Sequence, residues 1–281
     1  MRNSRKLTRV ALAIVVVFSV LLTACGGGGG TQAEEQDLIR DITERGVMRV
    51  GVGVFIPWSF EDKDGNLVGY EIDVATKVAE DMGVDVEFVP TAWDGIIPAL
   101  LTGKFDVIIG GMGILTERAL KVNFTIPYEY GGYELLCSKE TAPDVTSLED
   151  LNTSDITLAL GISGTPLAWA QENLPNAEVR NFPEHEGMVQ DILNGNSDCS
   201  ITSPPKFYRD VRDHPDDLYM PFGADYFGKE SMGFALRKGD PDAVFFFNSW
   251  ITINEEWLLE RANYWFASAD WEYLLPEDAQ E

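Results

Sequence analysis

Basic residues, histidines and cysteines are all scarce in this sequence. Lysine and arginine together number 21 against 46 aspartates and glutamates, so the formal net charge is -25 at pH 7. Such acidity opposes binding to nucleic acid and to anionic membrane surfaces. The two histidines, His185 and His214, lie far apart, and no cysteine pair has metal-ligand spacing. We therefore expect no nucleic-acid partner and no metal.

The three cysteines leave one question of pairing open. Cys25 follows the N-terminal apolar segment, so Cys137 and Cys199 are the two cysteines that remain as a possible pair. These two residues could form a disulfide in an oxidising compartment, or both could be buried free thiols. The sequence alone does not choose between the two.

An uncharged, mostly apolar run occupies residues 10–24, directly after a basic N-terminus. It is short for a membrane span of ~20 residues and has the layout of a secretory signal. Small residues before Cys25 resemble the lipobox of bacterial lipoproteins. The resemblance implies a signal peptide over residues 1–24, a membrane-anchoring lipid on Cys25 and a flexible tether over residues 25–36. The alternative is an ordinary signal peptide with a chance cysteine.

The most informative stretch covers residues 48–128. Apolar residues at helical spacing predict helices over 70–82 and 93–102, and short apolar runs predict strands at 84–89 and 105–109. Alternation of strand and helix predicts parallel strands with right-handed crossovers. Open α/β sheets bind small ligands at the carboxyl ends of their strands, so binding is the first functional hypothesis.

A second, smaller α/β pattern begins after Tyr133. A Gly/Ser loop over residues 161–165 precedes a predicted helix, and a late strand at 232–237 is followed by one predicted helix over 241–259. The pattern predicts two α/β lobes with the chain passing between them more than once.

Several short motifs are spread over residues 48–271. The most specific are Pro57-Trp58-Ser59-Phe60, Trp93-Asp94-Gly95, Gly103-Lys104-Phe105-Asp106, Thr116-Glu117-Arg118 and Gly164-Thr165. Together they resemble the motifs of the periplasmic solute-binding proteins of polar amino acid ABC transporters, family 3. The resemblance implies the type II periplasmic-binding fold, in which two α/β lobes are joined by two hinge strands. Lobe 1 would comprise residues 37–132 plus 233–281, and lobe 2 residues 133–232.

The resemblance also implies a ligand site. Arg118 matches the arginine that grips the ligand carboxylate, a role that suits a planar, two-pronged guanidinium. Thr165, with Ser163 and Gly164, matches the loop that donates hydrogen bonds to the same carboxylate at a helix N-terminus. Plain N-capping by Ser163 or Thr165 is the structural alternative.

Further positions match the wall of the cleft. Trp93, Phe55 and Trp58 fall where relatives place aromatic side chains, although each is also a plausible core residue. Trp93 opens a helix after a strand end, which favours it as a ligand contact over Trp58, for which the two roles weigh about equally. Gly111 and Met112 would bring backbone close to the ligand.

Two positions depart from the family pattern. Gly113 stands where many relatives have a serine or threonine donor, and Ser203 stands where most have an aspartate that pairs with the ligand ammonium. A serine supplies no countercharge. Either another acidic residue holds the ammonium, with Glu71 and Asp94 as candidates, or the ligand lacks a standard α-amino group.

The implied function is the extracytoplasmic substrate-binding component of an ABC importer, located in the periplasm or at the cell surface. It would capture an amino acid or a related small carboxylate, act as a monomer and deliver the ligand to a permease. A ligand sensor for a separate receptor is one alternative.

An enzyme on the same scaffold, similar to cyclohexadienyl dehydratases, is another alternative. It would need a carboxylic acid over the cleft, and the sequence offers no convincing one. Gly51 and Gly53 lack the third glycine of a dinucleotide loop. We therefore expect no cofactor and no catalysis.

Overall fold

The computed structural model describes residues 37–204, 206–223 and 225–276. The predicted signal peptide, the tether and the lipidation site Cys25 lie outside the described residues. Within those ranges, none of the helices combines the length and the apolar character that crossing a bilayer requires.

The described residues form thirteen strands, which are numbered in chain order. They are β1 Val47–Val52, β2 Phe60–Glu61, β3 Leu67–Val68, β4 Asp85–Pro90, β5 Val107–Ile108, β6 Asn123–Phe124, β7 Glu129–Ser138, β8 Thr157–Gly161, β9 Glu178–Phe182, β10 Cys199–Thr202, β11 Leu218–Tyr219, β12 Phe227–Met232 and β13 Ala235–Leu236.

The α-helices are numbered separately. They are α1 Leu38–Arg45, α2 Tyr70–Met82, α3 Trp93–Leu101, α4 Thr116–Ala119, α5 Thr165–Asn173, α6 His185–Leu193, α7 Phe207–Asp213, α8 Pro241–Ile253 and α9 Glu255–Ala262. A π-helical turn follows at Asn263–Ala267.

The first lobe is built on a five-stranded sheet in the order β4-β1-β5-β13-β6. Strand β1 is parallel to β4 and β5, whereas β13 is antiparallel to β5 and β6. Helix α2 packs its apolar face on this sheet through Val74, Ala75 and Val78. Gly83 ends the helix in the left-handed conformation, at φ 70°, which a glycine adopts without steric cost.

The second lobe is built on a six-stranded sheet in which β7 pairs with three other strands. The path runs β11-β7-β10-β8-β9, and β12 also pairs with β7. Cys137 on β7 lies opposite Cys199 on β10, and the two form a disulfide between fully buried positions. The pairing left open by the sequence is therefore a disulfide, and the alternative of two free thiols is wrong.

Two strands connect the lobes. Strand β7 leaves the first lobe after β6, and β12 returns toward it before β13. They run antiparallel, with Glu129 opposite Met232. Two hinge strands joining two α/β lobes confirm the predicted fold class. The boundaries of the lobes, 37–132 plus 233–281 and 133–232, stay a prediction.

Two predicted elements need correction. The single helix predicted over 241–259 is broken at Asn254, whose side-chain amide donates to Trp250 O at 2.9 Å and so terminates α8. The strand predicted over 232–237 is the end of β12 followed by the separate strand β13.

Candidate functional site

Loops that follow β1, β5, β8 and β10 face one another between the lobes. Three contacts between described residues join the lobes across this cleft. Trp58 Nε1 donates to Pro204 O at 3.4 Å, and Lys206 Nζ lies 3.5 Å from the centroid of the Phe55 ring. The third contact joins Gly113 to the side chain of Thr165.

Arg118 is a buried cation on the first-lobe side of the cleft. Its side chain comes from the short helix α4, and the residue is only 8% exposed. Its Nη1 donates to Gly113 O at 2.9 Å, and its guanidinium carbon lies 5.8 Å from the ring centroid of Trp93. Burial lowers the pKa of Arg118. Among the described residues, no carboxylate lies within 4.0 Å of the guanidinium nitrogens.

Glu230 is the cleft residue that the sequence analysis missed. It projects from β12, is only 4% exposed, and accepts hydrogen bonds from Thr165 Oγ1 and, at 2.7 Å, from Ser203 Oγ. Burial raises the pKa of Glu230, while Thr165, Ser203 and Arg118 oppose that rise. The expectation that no carboxylic acid stands over the cleft is therefore wrong.

A sequence signal for Glu230 existed but was weak. Side chains alternate across a strand with a period of two. Glu230 therefore shares an inward face with the buried Met232, whereas Lys229 is exposed. The polar composition of β12, FGKESM, obscured this strand.

Gly113 is explained by its neighbours on the other lobe. A Cβ atom at this position would overlap the Cγ2 methyl of Thr165 and stand 2.9 Å from Glu230 Oε1. The absence of a side chain lets Thr165 approach the first lobe. The departure from the family pattern thus serves the fit between the lobes.

Thr165 and its neighbours lie at the start of helix α5. Gly164 is the N-cap, at φ 117°, and it offers no side chain to the helix. Thr165 directs its hydroxyl to Glu230, and Ser163 is exposed. Neither Ser163 nor Thr165 makes a side-chain capping hydrogen bond, so the simple capping alternative is wrong.

Gly111 covers a buried carboxyl. Its N–H donates to the Tyr128 oxygen at 3.0 Å, and the Tyr128 hydroxyl donates to Glu71 Oε1 at 2.6 Å. Glu71 is fully buried, and its Oε2 has no hydrogen-bond partner within the described part of the chain. Burial raises the pKa of Glu71 to about 8. Glu71 thus lies behind the cleft wall, while the other proposed acidic candidate, Asp94, is exposed on α3.

The remaining predicted residues divide between core and cleft. Trp58 packs against Phe266, with 4.4 Å between the two ring centroids. Met112 is buried in the first-lobe core. Phe55 and Trp93 are half-buried. Burial lowers the pKa of Lys206, which lies over Phe55, to about 8.

Two hinged α/β lobes with buried charged side chains between them are typical of small-molecule binding proteins. Residues 48–268 match the bacterial extracellular solute-binding proteins, family 3. The chain belongs to this family, as its motifs implied, and its role is the capture of a substrate outside the cytoplasm for an ABC transporter.

Three known proteins illustrate the similarity. The L-cystine-binding protein TcyJ of Escherichia coli is 29% identical over 233 residues, which cover 83% of this chain and 85% of that protein. The cyclohexadienyl dehydratase of Pseudomonas aeruginosa is 31% identical over 66% of this chain and 69% of its own length. A Wolinella succinogenes protein assigned as an ABC transporter binding component, solved with lysine, is 34% identical. It aligns with a TM-score of 0.73 over 81% of this chain and 99% of its own.

Proposed function

We propose that this protein captures an α-amino acid or a closely related small carboxylate, held through its carboxylate by Arg118. The observation that carries the proposal is a buried guanidinium that no carboxylate pairs among the described residues. An unpaired buried charge is costly, and a ligand anion would relieve that cost. A carboxylate accepts the two parallel N–H donors of a guanidinium.

The second lobe supplies the other half of this anion site. Helix α5 begins at Thr165, so its unpaired backbone N–H groups favour a negative charge at that end. Gly164 leaves this end without a capping side chain. The half-buried ring of Trp93 lies beside Arg118 and would form a flat wall for the ligand.

Replacement of Arg118 by alanine tests this function. We expect Arg118→Ala to abolish binding of L-amino acids, measured by calorimetry after a thermal-shift screen of the twenty standard L-amino acids and L-cystine. Arg118→Lys should bind weakly, because an ammonium lacks the two-pronged geometry.

The matched control is Arg40→Ala, which removes an arginine from the exposed face of α1. It should bind as well as the wild type. Binding by Arg118→Ala at wild-type strength would reject Arg118 as the carboxylate ligand.

A second candidate function is catalysis, and Glu230 is the observation that favours it. When a hydroxycyclohexadienyl ring carboxylate becomes aromatic, the bond to the ring carboxylate breaks, CO2 leaves, and its electron pair expels the hydroxyl from the ring. The departing hydroxyl takes up a proton and leaves as water, and a buried carboxylic acid with a raised pKa can supply that proton. The dehydratase of P. aeruginosa has a related sequence. Incubation of the purified protein with a cyclohexadienyl acid distinguishes the two functions. An aromatic product, detected by its ultraviolet absorbance and absent with Glu230→Gln, would establish an enzyme.

We further propose that the mature chain acts as a monomer tethered to the membrane by a lipid on Cys25. The lipobox-like residues before Cys25 support the anchor. Two tests apply: incorporation of labelled palmitate should depend on Cys25, and the molar mass in solution should be that of one chain.

A further inference from the structure

The cleft contains a buried carboxyl group as well as a buried guanidinium. Glu230 is as deeply buried as Arg118, yet it accepts hydrogen bonds from the hydroxyl groups of Thr165 and Ser203, which carry no charge. Among the described residues no lysine, arginine or histidine nitrogen lies within 4.0 Å of its carboxylate. A buried carboxylate without a countercharge is costly and favours the arrival of a cation.

The two charges lie on either side of one residue. Arg118 Nη1 is bonded to Gly113 O, and the position of a Cβ on Gly113 would be 2.9 Å from Glu230 Oε1. Arg118 and Glu230 nevertheless do not form an ion pair with each other. A positive and a negative group, close together but unpaired, match a ligand that carries both charges.

From this arrangement, we propose that Glu230 binds the α-ammonium group of the ligand and thereby selects zwitterionic α-amino acids over carboxylates that lack the amino group. The inference rests on the proposed function, since it assumes that Arg118 holds the carboxylate. A carboxylate on the hinge strand β12 would thus pair with the ligand ammonium, in place of the aspartate that Ser203 replaces.

Ser203 has a defined part in this arrangement. The sequence resemblance places an aspartate at this position in most relatives, and here the serine hydroxyl donates to Glu230 Oε2. A carboxylate offers about four lone-pair positions, so two hydroxyl donors leave capacity for an ammonium. Ser203 and Thr165 thus orient the carboxylate, and Glu230 supplies the charge.

The test compares each amino acid with its desamino counterpart. The twenty standard L-amino acids and L-cystine are screened by thermal shift, and dissociation constants are measured for those that bind and for their desamino analogues. L-Lysine is paired with ε-aminocaproate, and L-cystine with dithiodipropionate. The wild type should prefer the amino acid. Glu230→Gln should reduce that preference by about ten- to hundredfold, the value of one charge-assisted hydrogen bond.

The matched control is Glu129→Gln. Glu129 is a partly buried glutamate on the other hinge strand, held by Tyr70 at 3.2 Å, and it makes no hydrogen bond to Thr165 or Ser203. Its neutralisation should leave the preference unchanged. Circular dichroism melting of both variants checks that they fold, and Glu230→Asp, which keeps the charge, provides a second variant.

A rescue variant separates a charge effect from a structural one. Ser203→Asp introduced together with Glu230→Gln returns a carboxylate within hydrogen-bond distance of the same place. It should restore the preference for the amino acid. A merely structural role for Glu230 would leave the double variant as unselective as Glu230→Gln.

The outcomes separate the two levels of the proposal. An unchanged preference in Glu230→Gln, with Arg118→Ala inactive, would overturn the role of Glu230 and leave the proposed function intact. Tighter binding of desamino acids by Glu230→Gln, with amino acids unaffected, would show that Glu230 occupies the carboxylate position instead. A wild-type protein that binds no amino acid would overturn the proposed function and this inference together.

Discussion

At the scale of single residues, Glu71 shows how burial sets the response of the protein to pH. Its carboxyl group is surrounded by Tyr128, the backbone of Gly111 and the nearby charge of Glu129. Burial raises its pKa from 4.5 to about 8, so the folded state holds a proton that the unfolded state releases between these values. The contribution of Glu71 to stability is therefore fully present below pH 4.5 and is lost as the pH rises through about 8.

Replacement of Glu71 by glutamine should remove this dependence. Between about pH 5 and pH 8, the unfolding free energy of the wild type should fall relative to that of Glu71→Gln by up to about 1.4 kcal/mol per pH unit. Urea unfolding at intervals of pH measures the difference.

Glu61→Gln is the matched control, because Glu61 is exposed on β2. Its unfolding curve should keep the pH dependence of the wild type. Parallel pH profiles for the wild type and Glu71→Gln would show that Glu71 is ionised in the folded protein.

The site shows which residues a sequence can reveal. Arg118 and Thr165 belong to short sequence motifs, so their proposed roles could be predicted from the residues next to them in the sequence. Glu230 accepts a hydrogen bond from Thr165, which is 65 positions away along the chain, and the fold of the second lobe against the hinge strand β12 brings the two together. No local pattern encodes that approach.

At the scale of elements, the strongest constraint is the disulfide between β7 and β10. It links Cys137 to Cys199 across 62 positions of sequence. Cross-linking a loop of this length stabilises mainly by restricting the unfolded chain. The second lobe should therefore depend on this bond more than on any single hydrogen bond in its sheet.

We expect the double variant Cys137→Ala and Cys199→Ala to lose about 2–4 kcal/mol of unfolding free energy. Urea unfolding followed by circular dichroism gives the value. A reducing agent should shift the unfolding midpoint of the wild type toward that of the double variant and should leave the variant unaffected. Equal midpoints for the two proteins without reductant would refute this contribution.

Regular elements were predictable where local signals agree. Helix α2 begins at Tyr70 and ends at Met82, as its apolar spacing and Gly83 predict. The break at Asn254 escaped prediction because apolar residues continue across it, and the side-chain cap on Trp250 O depends on the local geometry. Strand β12 was not predicted because its inward-facing residues include a glutamate, which breaks the expected apolar pattern.

At the scale of the whole molecule, Gly113 governs how closely the lobes meet. A side chain there would collide with the Thr165 methyl group when the lobes are in contact. Gly113→Ala should therefore weaken binding of an L-amino acid by about 1–3 kcal/mol, the usual cost of overpacking. Small-angle X-ray scattering should show that the variant, in the presence of that amino acid, stays larger than the wild type.

A second substitution tests the cause. Thr165→Ser removes the Cγ2 methyl and keeps the hydroxyl, so the double variant Gly113→Ala and Thr165→Ser should recover part of the affinity. Thr165→Ser alone should bind nearly as well as the wild type. A double variant no better than Gly113→Ala would place the obstruction elsewhere.

The position of β13 has a consequence for the order in which the protein is made. This strand, Ala235–Leu236, lies between β5 and β6 inside the first-lobe sheet, although it is the last strand that the described residues form along the chain. Chains are synthesised from the N-terminus, and distant strand pairing is slow because a long loop must close first. The sheet of the first lobe therefore cannot be completed until the second lobe has been synthesised. A chain that stops before Leu236 leaves the facing edges of β5 and β6 unpaired.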